Sequence, residues 1–433
     1  MTKLAGSLDC ELNSLNIIEH REWLNDNADA GNTNMCAISK YKGPITAAIL
    51  KSSLQILIDI HPMLRVSIKA IEQTPMFFPA TPFIIPLKEY AYKDQMQWKE
   101  IAKKYMRQKF KNENEPFWKV IFLKGIGEGM IFLIFQHSIA DGISVAQLMN
   151  QLYQIISAKM LGEQPIINSD LSFPPSLENL FQTVKQDEME LHSPSTTDQP
   201  KGVTNYHTSY EIKAIDRNST LKIIQFCQKH KIKVHSAIYA AFLKAVKIIK
   251  NPDFNEFEAL TVVSLRPYFQ PPALPDLLRS LFTWVSGKFS VTKEMDIFKL
   301  AVEIHHDLHR KLDDGLHILN LKSVAEQLES NPTPQEFLSK KMPPNLLCLT
   351  NLGVLPFDGT YPCQTLQMEE LFFLANSNNY FEHEHNACLC ASTFRGQLNL
   401  SLFFLEELIE ESVAQAILQE IAKNLERLVK EIV

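Results

Sequence analysis

Apolar residues recur every three or four positions through 45–64 (ITAAILKSSLQILIDIHPML), placing Leu50, Leu54, Leu57 and Ile58 on one side and predicting a helix. His61-Pro62 closes it, because the residue before a proline disfavours helical backbone. A strand-like stretch follows at 64–68. Residues 95–112 (QMQWKEIAKKYMRQKFKN) read as a basic amphipathic helix. Strand-type runs come next at 118–123 and 130–135, joined by the turn Gly125-Ile126-Gly127-Glu128-Gly129. The stretch Ile131-Phe132-Leu133-Ile134-Phe135 is apolar at every position, as in a strand covered on both faces. A helix is expected over 144–161, opened by the capping-box spacing of Ser144 and Gln147.

Between 187 and 203 the chain turns polar and proline-containing (DEMELHSPSTTDQPKGV up to Val203) and loses periodicity, which marks a linker. This divides the chain into a first lobe over 1–186 and a second over 204–433. The second shows strands near 206–212, 259–265, 283–290, 346–350, 366–373, 387–393 and 398–404. Helices are expected near 219–230, 234–249, 296–312 and 412–433. In the last, Ile417, Ile421, Leu425, Leu428 and Ile432 form one stripe. Mixed strands and helices in both halves point to an α/β or α+β fold in two lobes.

Composition narrows the function. The 433 residues carry 43 basic and 49 acidic side chains, a net charge of −6, so the basic footprint of a nucleic-acid binder is missing. Seven cysteines (Cys10, Cys36, Cys227, Cys348, Cys363, Cys388, Cys390) without a CxxC favour reduced thiols and a cytoplasmic location. The longest apolar run, Ala237 to Leu243, is far short of the roughly 20 residues a membrane helix needs. Nothing in the sequence suggests an obligate oligomer, so a monomer is expected.

The chemistry concentrates at His137-Ser138-Ile139-Ala140-Asp141-Gly142, after a buried strand and before a capped helix. An imidazole fixed in a short connection at a sheet's mouth can take a proton from a hydroxyl or amine near neutral pH, which a general base requires. Asp141 is placed to orient the loop by pairing with a cation, and Gly142 to permit the turn.

These residues resemble the acyltransferases of the chloramphenicol-acetyltransferase-like fold, whose shared signature is HxxxDG. The likeness extends through His61-Pro62-Met63-Leu64-Arg65, Glu115-Pro116-Phe117-Trp118-Lys119-Val120, Val234-His235-Ser236-Ala237-Ile238, Ser264-Leu265-Arg266-Pro267 and Thr350-Asn351-Leu352-Gly353, in that order. The resemblance implies two lobes with an active-site tunnel between them. Part of 355–395 is expected to cross over to extend the first lobe's sheet. It further implies that His137 is the base, that Asp141 pairs two-pronged with Arg266 as a structural lock, and that Asn351 supplies an amide donor near the oxyanion. The donor would be an acyl-CoA or a phosphopantetheine-linked acyl group on a carrier protein, with no tightly bound cofactor. The acceptor would be a small hydroxyl or amine compound, and transfer would be direct, leaving Ser138 and Ser144 without a nucleophilic role. Two other readings stay open: a free-standing condensation enzyme joining two carrier-bound substrates, and a non-catalytic carrier- or metabolite-binding member. The chain departs from many members in carrying Gln136 where a first histidine stands. It also lacks the DFGWG segment of the plant enzymes.

His305 and His309 share a helix face at metal-ligand spacing, but no HExxH or third ligand accompanies them, so no metal is expected and a solvated face is. Glu382-His383-Glu384-His385 with Cys388 and Cys390 read as a turn followed by small core residues. The charges at Lys99, Lys103, Lys104, Arg107, Lys109 and Lys111 read as a solvated face, with docking of an acidic carrier or of coenzyme A phosphates as the alternative.

Overall fold

The computed structural model describes residues 14–28, 32–110, 114–167, 176–183, 197–200, 206–331, 333–334, 340–376 and 383–430. The chain begins with helix α1 (Ile17–Asn27), whose N-cap Asn16 accepts from the amides of Ile18 and Glu19 while the Glu19 carboxylate returns to the Asn16 amide. Strand β1 (Asn34–Lys42) precedes α2 (Ala47–Ile60), which buries Leu50, Leu54, Leu57 and Ile58 and ends at an extended His61 before Pro62. A 3-10 turn over Pro62–Arg65 leads into the hairpin β2 (Val66–Ile71) and β3 (Thr74–Pro79). Then follow β4 (Leu87–Ala91), α3 (Gln97–Met106), β5 (Trp118–Lys124), β6 (Glu128–Gln136) and α4 (Gly142–Leu161). Of the expected linker at 187–203, residues 197–200 form β7 (Thr197–Pro200), and the remainder lies outside the described residues.

The second lobe runs through β8 (Thr208–Ile215), α5 (Arg217–Lys229), α6 (Val234–Ile249), β9 (Glu256–Ser264), β10 (Phe282–Ser290), α7 (Ile297–Asp313) and α8 (Leu316–Ser330). It continues with β11 (Lys340–Lys341), which pairs with β7, and β12 (Leu346–Val354). Strands β13 (Gln367–Ala375), β14 (Ala387–Phe394) and β15 (Gln397–Leu405) and helix α9 (Glu411–Lys430) complete it.

Two sheets carry the architecture: β13-β1-β6-β5-β4 and β10-β9-β12-β14-β15-β8. In the first, the continuous apolar run of β6 is buried from Gly129 to Gln136, as its lack of alternation implied. Strand β13, drawn from the second lobe's stretch of chain, lies antiparallel to β1 with Cys36 opposite Leu374 and Ile38 opposite Phe372. Helices α5, α6, α7 and α9 cover one face of the second sheet, and Ile417, Leu418, Ile421, Leu425 and Leu428 of α9 enter its core. Each such side chain contributes about 1.5–3 kcal/mol on burial. The opposite face carries Cys348, Cys388 and Cys390 toward the first lobe. Cys348 and Cys388 are register partners, and burial pushes the Cys390 thiol up to about 12.

Candidate active site

Strand β6 ends at Gln136 and α4 starts at Gly142, so the residues between them make one tight turn, closed by the Ile139 amide donating to the Gln136 carbonyl at 3.2 Å. His137 is held by its main chain on both sides. Its amide donates to the Thr33 carbonyl at 3.1 Å, and its carbonyl accepts from the Ser280 hydroxyl, which also reaches the Ala140 carbonyl at 2.8 Å. The imidazole is half-buried against Phe282, with ring centroids 4.8 Å apart. Its Nδ1 is inaccessible and has no hydrogen-bond partner among the described residues. The ring therefore lies where the lobes meet, its backbone fixed by a bond to each.

Asp141 is buried and does two things. Its Oδ1 accepts from the Ser144 amide at 2.9 Å while the Ser144 hydroxyl accepts from the Asp141 amide at 3.1 Å, a reciprocal cap. This corrects the expected cap at Ser144: the aspartate takes the N-cap, Ser144 is the third helical residue, and α4 starts earlier. Asp141 Oδ2 accepts from Arg266 Nη1 at 2.5 Å and from the Leu281 amide at 3.1 Å. Burial would push this carboxyl up. The charge and hydrogen bond of Arg266, with the Ser144 and Leu281 amides, outweigh burial and hold it below the ordinary carboxylate value.

The Arg266 contact departs from the expected two-pronged pair. Only Nη1 meets the carboxylate, because Nε donates to the Leu274 carbonyl (3.3 Å) and Nη2 to those of Leu277 (3.1 Å) and Arg279 (3.5 Å). Arg266 thus ties the whole 274–281 segment to Asp141. Gly142 also differs from expectation. Its backbone angles are ordinary, and what it supplies is room: a Cβ there would come within 2.8 Å of Leu352 Cδ2. Asn351, beside Leu352, spends its Oδ1 on the Gly353 amide at 2.9 Å, closing a turn in which Gly353 has φ +72°. The bond lies within β12 at the register shift against β14, and Leu352 rather than Asn351 reaches the Gly142 position.

Several residues at this site have no sequence signature. Glu19, fully buried, accepts from Arg279 Nε (2.5 Å) and Nη2 (2.6 Å) and from the Ser280 amide (3.3 Å). The Asn16 side chain donates to the Ser280 carbonyl at 3.2 Å. Gln136, at the position where many relatives carry a histidine, donates from Nε2 to Asp26 Oδ2 at 2.8 Å, and Asp26 Oδ1 accepts from the Thr33 amide at 2.8 Å. Burial pushes the Asp26 carboxyl up against the lowering effect of these donors. Glu19 and Asp26 precede the HxxxDG segment by more than a hundred residues and Arg279 follows it by a similar distance, so no local pattern links them.

The basic helix α3 proves to be an interlobe clasp rather than the expected solvated face. Lys99 pairs with Glu211 and, at 2.5 Å, with Glu411; Lys103 and Arg107 both meet Glu406, at 2.9 and 2.6 Å. Lys104 lies over the rings of Tyr90 and Tyr105, and Lys109 donates to the carbonyls of Asp26 and Ala28. Lys111 lies outside the described residues, as do Cys10 and Glu382. Lys99, Lys103 and Arg107 are thus paired with carboxylates of the second lobe.

On α7, His305 and His309 contact one another at 4.3 Å between ring centroids, while Asp307 pairs with Arg310 and Lys311. Among the described residues, the group that brings three metal-ligating side chains together is His207, Glu406 and Glu407. There Glu407 already meets His207 at 2.7 Å, and Glu406 is engaged by Lys103 and Arg107.

Two family models match the chain in tandem. Residues 22–173, which carry His137 and Asp141, match the condensation domain, and residues 209–403, which carry Arg266 and Asn351, match the phthiocerol/phthiodiolone dimycocerosyl transferase C-terminus. Each model covers less than half of the chain, and the chain is thus similar, lobe by lobe, to condensation domains and to the C-terminal part of a dimycocerosyl transferase. The O-acetyltransferase pigM of Monascus ruber is 29% identical over 221 residues, which covers 48% of this chain and 41% of that protein. Among solved structures, polyketide synthase associated protein 5 from Mycobacterium tuberculosis superposes with a TM-score of 0.67 at 17% identity, covering 96% of this chain and 99% of its own. The TRI3 trichothecene 15-O-acetyltransferase from Fusarium sporotrichioides gives 0.66 at 12% identity, over 96% and 94% of the two chains. These superpositions show that the chain shares the fold of those structures over 96% of its length. Among the described residues no helix is long and apolar enough to cross a membrane.

Proposed function

We propose that the protein transfers an acyl group from a thioester, on coenzyme A or a carrier protein, to a hydroxyl or amine acceptor, with His137 as general base. His137 would take the acceptor's proton as the acceptor oxygen or nitrogen attacks the thioester carbonyl. The thiolate then leaves from the tetrahedral intermediate and recovers a proton from the imidazolium. The observation that carries this reading is the fixing of His137 at the lobe boundary, by hydrogen bonds on both of its backbone groups, next to a lock that joins Asp141 to Arg266. A positioned base needs that rigidity, because misplacement of about 1 Å can cost 10²-fold in rate. Two of the named relatives are O-acetyltransferases, which supports a hydroxyl acceptor. The match of residues 22–173 to the condensation domain keeps carrier-bound substrates in view.

The test is a panel of acyl-CoA and carrier-loaded thioesters offered with hydroxyl and amine acceptors, scored by free-thiol release and by mass spectrometry of the acylated product. His137→Ala is expected to lower the rate about 10²–10⁴-fold. An unchanged rate in that variant would remove His137 from the chemistry. Product from carrier-loaded donors alone would favour the condensation reading.

A further inference from the structure

Helix α1 presents two buried carboxylates, Glu19 and Asp26, seven residues and about 10 Å apart, on one face of the helix. Each reaches one side of His137. Glu19 accepts from Arg279 Nε and Nη2, along one edge of the guanidinium, and from the Ser280 amide, and the Ser280 hydroxyl donates to the carbonyl of His137. Asp26 accepts from the Thr33 amide and the Gln136 carboxamide, and the Thr33 carbonyl accepts from the amide of His137. Both main-chain groups of the histidine are thus held by residues that the helix itself holds.

We infer that α1 is the positioning element of the active site, with Glu19 acting through Ser280 and Asp26 acting through Thr33 and Gln136 to set where the His137 imidazole stands. The inference rests on His137 being the base. It also accounts for Gln136, whose carboxamide can donate to the Asp26 carboxylate. The Gln136 Oε1 is buried without a partner, so the amide can turn over if residue 26 becomes a donor. Arg279 takes part in both arrangements, since its carbonyl also accepts from Arg266 Nη2, so the α1 clamp and the Asp141 lock meet in one short segment.

The test uses the full-length protein and two readouts, steady-state kinetics and the ring signals of His137 in a histidine-labelled NMR spectrum, assigned by loss of one of the 13 histidine signals in His137→Gln. Ser280→Ala deletes one hydroxyl. It is expected to shift the His137 signals and to lower kcat by about 10²-fold with little change in KM. Asp26→Leu should do the same. Asp26→Asn should largely restore both readouts, because a turned Gln136 amide re-forms the bond. Leu425→Ala, in the α9 core, controls for mere destabilisation and should leave the His137 signals where they are. Unmoved signals in Ser280→Ala, or equal movement in Leu425→Ala, would overturn the inference. A wild-type protein that turns over no thioester would count against acyl transfer, while the ring signals would still decide the positioning role.

Discussion

Two sets of ion pairs join the lobes, and they differ in depth. The inner set, Asp141–Arg266 and Glu19–Arg279, has side chains between 0% and 9% exposed, and Asp141, Glu19 and Arg266 also bond to backbone groups. The outer set, Lys103 and Arg107 on Glu406, is near 30% exposed. Charge chemistry is the same in both, but water is not. An inner charge stripped of its partner stays in a poorly solvated place, whereas an outer one relaxes into solvent and is screened by salt. The inner set is therefore built to fix geometry, and the outer set adds a weak, adjustable hold.

The sharpest way to break that contrast is Asp141→Ala, which strands the Arg266 guanidinium and uncaps α4. It is expected to cost about 3–5 kcal/mol in urea unfolding. A cost below about 1 kcal/mol would mean that water reaches Arg266 and that the depth distinction is empty. Acid separates the sets from the rest of the protein. Burial lowers His20 and His317 to about 4, and burial together with the His309 charge lowers His235 to about 4. A histidine depressed in the folded state is protonated first in the unfolded chain. The stability it contributes is thus present above about 6.5 and lost as pH falls from there toward 4. Two of the paired carboxylates act lower. Asp141 and Glu406 are held below their ordinary values, so their contribution is lost only as pH falls through those lowered values. Asp26 has the opposite sign, being raised, and gains from protonation. Thermal unfolding followed from pH 7 to 4 should therefore show a loss above pH 5 that His20→Gln reduces and Glu406→Gln does not. Smallest is Glu406→Gln at neutral pH, expected at about 0.2–1 kcal/mol in 0.1 M salt and close to nothing in 1 M salt.

Legibility follows the same divide between local and distant causes. The β6–turn–α4 unit can be read because an all-apolar strand, a turn and a cap stand within thirty residues, although Asp141 and Ser144 exchange roles within the cap. Family likeness suggests the pairing of Asp141 with Arg266, but its single-pronged geometry depends on where three carbonyls of the 274–279 segment point. Helix α1 is hidden from pattern reading because its buried positions include Glu19, Glu22, Asn25 and Asp26, so the inward face looks polar and breaks the apolar stripe on which helices are recognised. The clasp of α3 looks solvated in sequence because Glu211, Glu406 and Glu411 are supplied by chain more than a hundred residues away. Strand β1 is likewise hidden. Its sequence NMCAISKYK buries even Lys40 and Ser39, so the usual in–out contrast of a strand is blurred.

The pairing of β13 with β1 makes the two halves inseparable as objects. A fragment cut between them would leave β1 as a bare edge, its row of amides and carbonyls open to whatever strand came by, and such edges seed aggregation. The second half alone would carry a nine-residue strand whose apolar stretch, 371–375, had lost its β1 partner. Swapping one half for a relative's therefore means matching a ladder as well as a surface, and splicing at the middle of the chain is a worse choice than exchanging β13 along with the half it completes.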